Sequence, residues 1–136
     1  MKRFLSVLFL TLLSHLFLFA NQSLGKLDFL RCEYLVTPLG VDVPTPRFSW
    51  RLPAHLNKQQ AYQVIVGTDS VAVANGNGGA WDSGKILSSE VLTVYAGKAM
   101  QPYTRYYWKV SVWDDANNNY TSAVSHFETG LMGMLF

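Results

Sequence analysis

The chain has 136 residues, of which 49% are apolar and 15% charged, so its length suits a single domain and its composition excludes an intrinsically disordered protein. Eleven Lys and Arg stand against nine Asp and Glu, but two of these cations, Lys2 and Arg3, lie at the very start. Eleven minus two leaves nine cations against nine anions, and this balance argues against nucleic acid or an anionic membrane as a partner.

Residues 1–20 are typical of a cleaved secretory signal peptide. The apolar stretch from Phe4 to Phe19 is shorter than the roughly 20 residues that span a bilayer, and the small residue Ala20 follows it. An uncleaved anchor is the alternative. We therefore expect an exported protein, located in the periplasm, at the cell surface or outside the cell, which meets the membrane only through this segment before cleavage. Residues 21–29 are expected to form a tether, 30–131 a folded domain and 132–136 a short tail.

The single cysteine, Cys32, has no partner for an intramolecular disulfide. The fold must therefore be stabilised by its core, and a buried thiol is the expected state of Cys32.

Alternating and β-branched segments predict seven strands along the rest of the chain. In chain order they are 30–36, 47–52, 62–68, 81–82, 91–95, 105–113 and 123–129. Prolines make residues 37–46 an extended connection, Asn75 to Gly79 breaks the chain, and residues 114–119 form a polar turn. Trp50, Tyr106 and Trp108 occupy the inward phase of their strands and are expected in the core.

Short strands without a sustained helical pattern predict an all-β fold, a seven-stranded antiparallel β-sandwich of the fibronectin type III or immunoglobulin-like class. The lack of a second cysteine favours the fibronectin type. In such sandwiches a tyrosine hydroxyl can bond back to the backbone at a strand corner, and Tyr106 is the candidate.

Six segments, taken in order, resemble the amino-terminal β-sandwich domain of bacterial α-L-rhamnosidases of glycoside hydrolase family 78. They are LRCEYLVTPLG (30–40), PRFSWRL (46–52), QAYQVIV (60–66), WDSGK (81–85), YYWKVSVWD (106–114) and FETGL (127–131). The resemblance covers nearly all of the mature chain. It implies a truncated member of a family of secreted enzymes that degrade rhamnose-containing glycans, with the catalytic domain lying downstream of this module.

This resemblance implies a non-catalytic accessory module that packs against downstream domains of a parent glycoside hydrolase. A free-standing carbohydrate-binding protein is the alternative, and a hydrolase in its own right is a third hypothesis. Inverting hydrolysis needs two carboxyl groups roughly 6.5 to 9.5 Å apart. The candidates Glu33, Glu90 and Glu128 lie on separate segments, so no catalytic residue is assigned.

No metal or cofactor is expected either. His55 and His126 lack a ligand spacing with cysteine, and Asp114, Asp115 and Asn117 to Asn119 fit a turn better than a calcium loop, since the closing glutamate is missing.

Aromatic residues make up 14% of the chain and supply the remaining candidates for binding. Five of them are expected to form a sugar platform or a domain-docking surface, or else to cover the edge of the sandwich: Trp81, Tyr103, Tyr107, Trp113 and Tyr120.

Overall fold

The computed structural model describes residues 25–134, so the predicted signal peptide lies outside the described residues. These residues form nine strands and one short helix. The elements are β1 (Asp28–Cys32), β2 (Arg47–Arg51), β3 (Ala61–Gly67), α1 (Ser70–Ala74), β4 (Trp81–Asp82), β5 (Ile86–Leu87), β6 (Leu92–Val94), β7 (Arg105–Trp113), β8 (Asn119–Thr121) and β9 (Ser125–Glu128). Strand β1 begins two residues before residue 30, where the folded domain is predicted to start, and Leu27 just ahead of it is already buried.

The strands form two antiparallel sheets. One has three strands in the order β1-β2-β6, and the other has six, with β4-β3-β7-β8 as its path, β5 beside β3 and β9 beside β7. This β-sandwich confirms the predicted fold class. Strands β5 and β8, of two and three residues, were not predicted, and the first residue of β8, Asn119, falls in the predicted polar turn.

The core lies between the two sheets and follows the alternation predicted for β7. Tyr106, Trp108, Val110 and Val112 are all buried, while the residues between them are half-buried on the outer face. Phe48 of the opposite sheet meets Trp108 with ring centroids 4.6 Å apart, and Trp50 is also buried. The three predicted core aromatic residues are therefore confirmed, and Cys32 is buried as expected.

Strand β1 ends earlier than the alternation of residues 30–36 predicts. It stops at Cys32, because Glu33 and Tyr34 adopt positive φ angles of 50° and 65° and turn the chain. The backbone groups of Cys32 and Leu35 then hydrogen-bond to each other at 3.0 Å in both directions. The predicted alternation does not continue past this turn, and Tyr34, Leu35 and Val36 are all exposed.

The corner before β7 is closed by the predicted tyrosine. The Tyr106 hydroxyl oxygen accepts a hydrogen bond from the backbone N–H of Gln101 at 2.8 Å, while its ring stacks on Phe127 with centroids 5.6 Å apart. This tie fixes the connection that enters β7 from the opposite sheet.

The single helical turn α1 was not predicted. Asp69 caps it by accepting hydrogen bonds from the N–H groups of Val71 and Ala72. After α1 the glycine-rich segment passes so close to β3 that a Cβ on Gly67 would lie 1.7 Å from the carbonyl oxygen of Gly78. That approach explains why glycine is needed there.

Candidate functional site

The five aromatic candidates do not form one surface. Trp81 and Tyr120 point inwards, Tyr107 and Trp113 lie on the outer face of the six-stranded sheet, and Tyr103 lies in the connection before β7.

Tyr120 belongs to the core, which corrects its predicted place on an interaction surface. Its partner across the sheet is the inward-facing Val112, and only 4% of Tyr120 is exposed. Its hydroxyl donates to Oδ2 of Asp114 at 3.2 Å, which anchors the turn that precedes β8. Strand β8 has only three residues, so no alternating pattern shows that Tyr120 faces the core.

Trp81 also faces inwards, because it pairs with the buried Val66 in the neighbouring strand. Its ring packs near Phe48 and Tyr95, at centroid distances of 6.4 and 5.3 Å. A ring placed in this way covers one margin of the core, so it is not free to stack on a sugar.

Trp113 and Tyr107 share the outer face of β7 but are six residues apart, roughly 20 Å along a strand. The Lys85 ammonium lies 4.5 Å from the centroid of the Trp113 ring and also donates to Asn117 at 3.2 Å, so one face of this indole is covered. The Tyr107 ring packs beside the His126 ring, with centroids 6.2 Å apart. These two rings therefore do not form a joint platform.

Tyr103 is different, because 70% of it is exposed at one end of the sandwich. We name this end the carboxyl pole and define it by three segments: residues 33–46 between β1 and β2, residues 95–104 between β6 and β7, and residues 129–134 after β9. The backbone ties these segments together. Gly130 donates to the carbonyl oxygen of Val41 and accepts from the N–H of Tyr103, both at 3.0 Å.

The carboxyl pole exposes a group of apolar side chains that the sequence pattern did not identify as a site. Exposed fractions reach 73% at Leu39 and 59% at Val36. In the segments 33–46 and 95–104 these side chains are Tyr34, Leu35, Val36, Leu39, Val43 and Tyr103, and Met134 after β9 is 56% exposed as well. The density of apolar residues in the segment 34–43 is a usable signal, but the alternation of residues 30–36 assigns part of it to the first strand.

An ion pair holds the base of this group in place. Arg47 donates to both carboxylate oxygens of Glu33, with Nη2 to Oε2 at 2.7 Å, and its guanidinium lies 4.8 Å from the centroid of the Tyr34 ring. The hydrogen bonds from Arg47 hold the pKa of Glu33 below its usual value, so the pair is charged at neutral pH.

The nine carboxylates all lie in the described part of the chain, and seven of them have structural partners. Three pair with arginines, and four accept hydrogen bonds from backbone or amide groups. Hydrogen bonds from Arg51 lower the pKa of Asp28, and bonds from Asn118 lower that of Asp114. A general acid for glycoside cleavage needs the opposite shift, towards a higher pKa.

The opposite end of the sandwich has a shallow polar depression. Its volume is about 380 Å³, and it is lined by Leu56, Asn57, Lys58, Gln59, Gln60 and Asp115. Within residues 25–134, no three His, Cys, Asp or Glu side chains come together as metal ligands. No helix in that range is long and apolar enough to cross a membrane.

Comparison with known proteins identifies the family. The model of the "Rha78A-like, N-terminal immunoglobulin domain" matches residues 27–133, almost the whole described range. The chain belongs to this family. The predicted resemblance to the amino-terminal domain of α-L-rhamnosidases is thereby confirmed.

Relatives of this Rha78A-like domain are much longer proteins. An α-L-rhamnosidase of Streptomyces avermitilis is 44% identical over 105 residues, which cover 74% of this chain and 10% of that protein. An α-L-rhamnosidase of Formosa agariphila is 34% identical over 99 residues, covering 70% of this chain and again 10% of the relative. The chain thus spans about a tenth of the length of these relatives.

Solved structures agree with this assignment. The α-L-rhamnosidase structure from Dictyoglumus thermophilum superposes with a TM-score of 0.78 at 41% identity, over 84% of this chain and 13% of that one. The Streptomyces avermitilis enzyme, solved with L-rhamnose, gives a TM-score of 0.73 at 40% identity, over 80% of this chain and 11% of that one.

Proposed function

We propose that this Rha78A-like domain is a non-catalytic module of an α-L-rhamnosidase-like enzyme and that it packs against other domains of that enzyme. The observation that carries this proposal is the family match over residues 27–133, combined with relatives in which the matching segment is only about a tenth of the protein. The remaining nine-tenths of such proteins provide both the room for a catalytic domain and the surfaces on which a module of this size can pack.

The chemistry of the carboxylates supports a catalytic site elsewhere. Asp28, Glu33 and Asp114 have their pKa lowered by hydrogen-bond donors, so each is held ionised. Cleavage of a glycoside needs one carboxyl group that stays protonated near neutral pH and a second that activates water or attacks the sugar. A sandwich filled by its own side chains offers only loop ends and outer faces, where water keeps the pKa of a carboxyl group near normal.

Export is part of the same proposal. The cation-led apolar segment of residues 1–20 is the feature that supports it, and we expect a mature amino terminus near Asn21.

The test is release of aryl alcohol from an aryl α-L-rhamnoside by the purified chain, with the longer Streptomyces avermitilis relative as positive control. We expect no release above buffer over many hours, because the proposal places the proton donor in another domain of the enzyme. Asp114→Ala and Glu128→Ala serve as matched variants. Turnover by the wild-type chain that disappears in either variant would contradict the proposal and would identify that carboxylate as a catalytic residue.

A saccharide site is the second candidate function, and the polar depression at the end opposite the carboxyl pole supports it. The amide groups of Asn57 and Gln60, together with Lys58 and Asp115, can hydrogen-bond sugar hydroxyls. Titration of the chain with L-rhamnose tests this candidate. Binding that is lost in Asn57→Ala but kept in Asn75→Ala, an exposed asparagine of the α1 connection, would support it.

A further inference from the structure

Exposed apolar side chains concentrate at the carboxyl pole. Leu39, Val36, Leu35 and Tyr34 are each more than half exposed, and Tyr103 from a separate connection joins them. Large apolar groups exposed together mark interaction surfaces, whereas single exposed ones are ordinary.

The backbone beneath these side chains is fixed in an unusual conformation. Glu33, Tyr34 and Thr37 have φ angles of 50°, 65° and 40°, and Tyr103 has one of 49°. For residues other than glycine such angles are uncommon, and they persist only where the surroundings impose them. Here the surroundings include the Arg47–Glu33 pair and the hydrogen bond from Glu128 N to the Pro38 carbonyl oxygen, 3.0 Å long. The apolar side chains are therefore held outwards by a rigid base.

Charge is scarce on this surface. The three segments of the carboxyl pole contain three charged side chains, Glu33, Asp42 and the exposed Lys98. Glu33 pairs with Arg47, and the Asp42 carboxylate accepts a hydrogen bond from the N–H of Met132 at 2.9 Å. Such a surface suits a partner that is itself apolar and has few formal charges, since burying an unpaired charge against it would be costly.

The path of the chain indicates which partner lies closest. After β9, Val41 and Thr129 form a parallel bridge, and Gly130 and Met132 are both hydrogen-bonded to residues of the segment 41–42. The segment 129–134 therefore runs directly beside Leu39 and Tyr103. In a longer family protein, whatever follows residue 134 begins next to this surface.

We infer that the carboxyl pole is a docking surface for the domain that follows directly in longer members of the family. This inference rests on the proposed packing function and assigns its interface to Tyr34, Leu35, Val36, Leu39, Val43 and Tyr103. A covalent connection raises the effective concentration of the following domain, so even a modest apolar contact can remain formed.

The experiment compares thiol labelling in two settings. In the first, residues 21–136 are studied alone; in the second, residues 25–134 replace the corresponding domain of the Streptomyces avermitilis relative. A thiol is introduced by Leu39→Cys at the carboxyl pole or by Leu87→Cys at the other end, at positions that are 73% and 80% exposed. Maleimide labelling of each introduced thiol is followed by peptide mass spectrometry. Cys32 adds little background, because burial raises its pKa to about 12.

We expect Leu39→Cys to react at least about tenfold more slowly in the chimera than alone, because docking must open before the thiol is reached. Leu87→Cys should react at the same rate in both settings. Equal rates for Leu39→Cys together with slowed Leu87→Cys would overturn this inference and leave the packing function intact. Equal rates at both positions would overturn the inference, and the packing function would then need an outer face of the sandwich. Slow labelling of Leu39→Cys in the isolated module, relieved by dilution, would show a second copy on this surface and would also overturn the inference.

Discussion

A single buried amide joins the two sheets at the end opposite the carboxyl pole. Gln59 is completely buried; its Oε1 accepts from the Trp50 indole N–H at 2.9 Å, and its Nε2 donates to the carbonyl oxygens of Ser88 and Glu90 at 3.3 and 2.7 Å. Every polar atom of this side chain is thus used within the protein. A fully satisfied buried network fixes one packing arrangement, because each alternative would leave a polar group unpaired.

Replacing this amide by an apolar group of similar size is expected to be costly. In Gln59→Leu the Trp50 N–H and two backbone carbonyl groups lose their partner, and each unsatisfied buried group costs about 1–3 kcal/mol. We expect the free energy of unfolding to fall by about 3 kcal/mol in urea titrations monitored by Trp fluorescence. The exposed neighbour offers a matched control, since Gln60→Leu should change it by less than about 0.5 kcal/mol. Similar midpoints for Gln59→Leu and wild type would refute the structural role of the network.

Among the elements, the longest strand is the one that the sequence predicts best. The nine residues of β7 have a complete alternation, and the inner and outer phases of Tyr106 to Trp113 were predicted correctly. Strands β5 and β8 contain two and three residues, so only their pairing with β3 and β7 defines them. The turn after Cys32 depends on positive φ angles at Glu33 and Tyr34. Neither residue is a glycine, so the sequence does not predict a turn at this position.

The candidate site was less predictable than the fold for a related reason. Exposure of a side chain depends on which elements cover it, and the sequence does not contain this information locally. The aromatic pattern predicts Tyr120 on a surface although it is buried. It does not identify Leu39 and Val36, which are among the most exposed apolar residues. Aromatic content therefore predicts poorly which side chains are exposed. The exposed apolar group is defined instead by how the connections are arranged at one end of the sandwich.

The contribution of the Tyr106 corner bond to stability can be measured by removing its hydroxyl group. Tyr106→Phe keeps the ring that stacks on Phe127 but removes the oxygen that accepts from Gln101 N–H. We expect a loss of about 1 kcal/mol in the free energy of unfolding, the usual net value of one hydrogen bond. Tyr107→Phe, on the outer face of the same strand, is the control and should change it by less than about 0.5 kcal/mol. Equal effects of the two substitutions would show that the corner bond contributes nothing.

At the scale of the whole molecule, the sandwich relies on its core and on ionised carboxylates, because its one cysteine is a free buried thiol. Asp28 and Arg51 form a two-pronged ion pair at 2.9 Å between β1 and β2, and Glu33 and Arg47 form another at the carboxyl pole. Asp114 organises the turn before β8 by accepting from Asn118 and Tyr120. All three carboxylates therefore stabilise the fold in their charged form.

Acid should destabilise the protein for this reason. Hydrogen bonds from Arg51, Arg47 and Asn118 lower the pKa values of Asp28, Glu33 and Asp114, whose ordinary values are 3.8, 4.5 and 3.8. A carboxyl group whose pKa is lower in the folded state binds protons more readily when the chain is unfolded. Its stabilising effect is therefore complete at pH values above its ordinary pKa and disappears as the pH falls through its pKa in the folded state. We expect the urea midpoint to stay level between neutral pH and about pH 5.5, then to fall steadily below about pH 4.5.

Asp114→Asn removes one of these titrating groups while keeping a similar shape. Its urea midpoint should be lower than that of the wild type near neutral pH, because a neutral amide is the weaker acceptor for Asn118 and Tyr120. The difference between the two proteins should then shrink on acidification, as the wild-type carboxylate becomes protonated. Glu90→Gln is the matched control, since the Glu90 side chain is exposed and has no hydrogen-bond partner among the described residues, and it should follow the wild-type profile. A wild-type midpoint that rises as the pH falls from about 5 to about 3 would contradict the sign of all three pKa shifts. A constant difference between wild type and Asp114→Asn at every pH would mean that Asp114 acts through its shape alone.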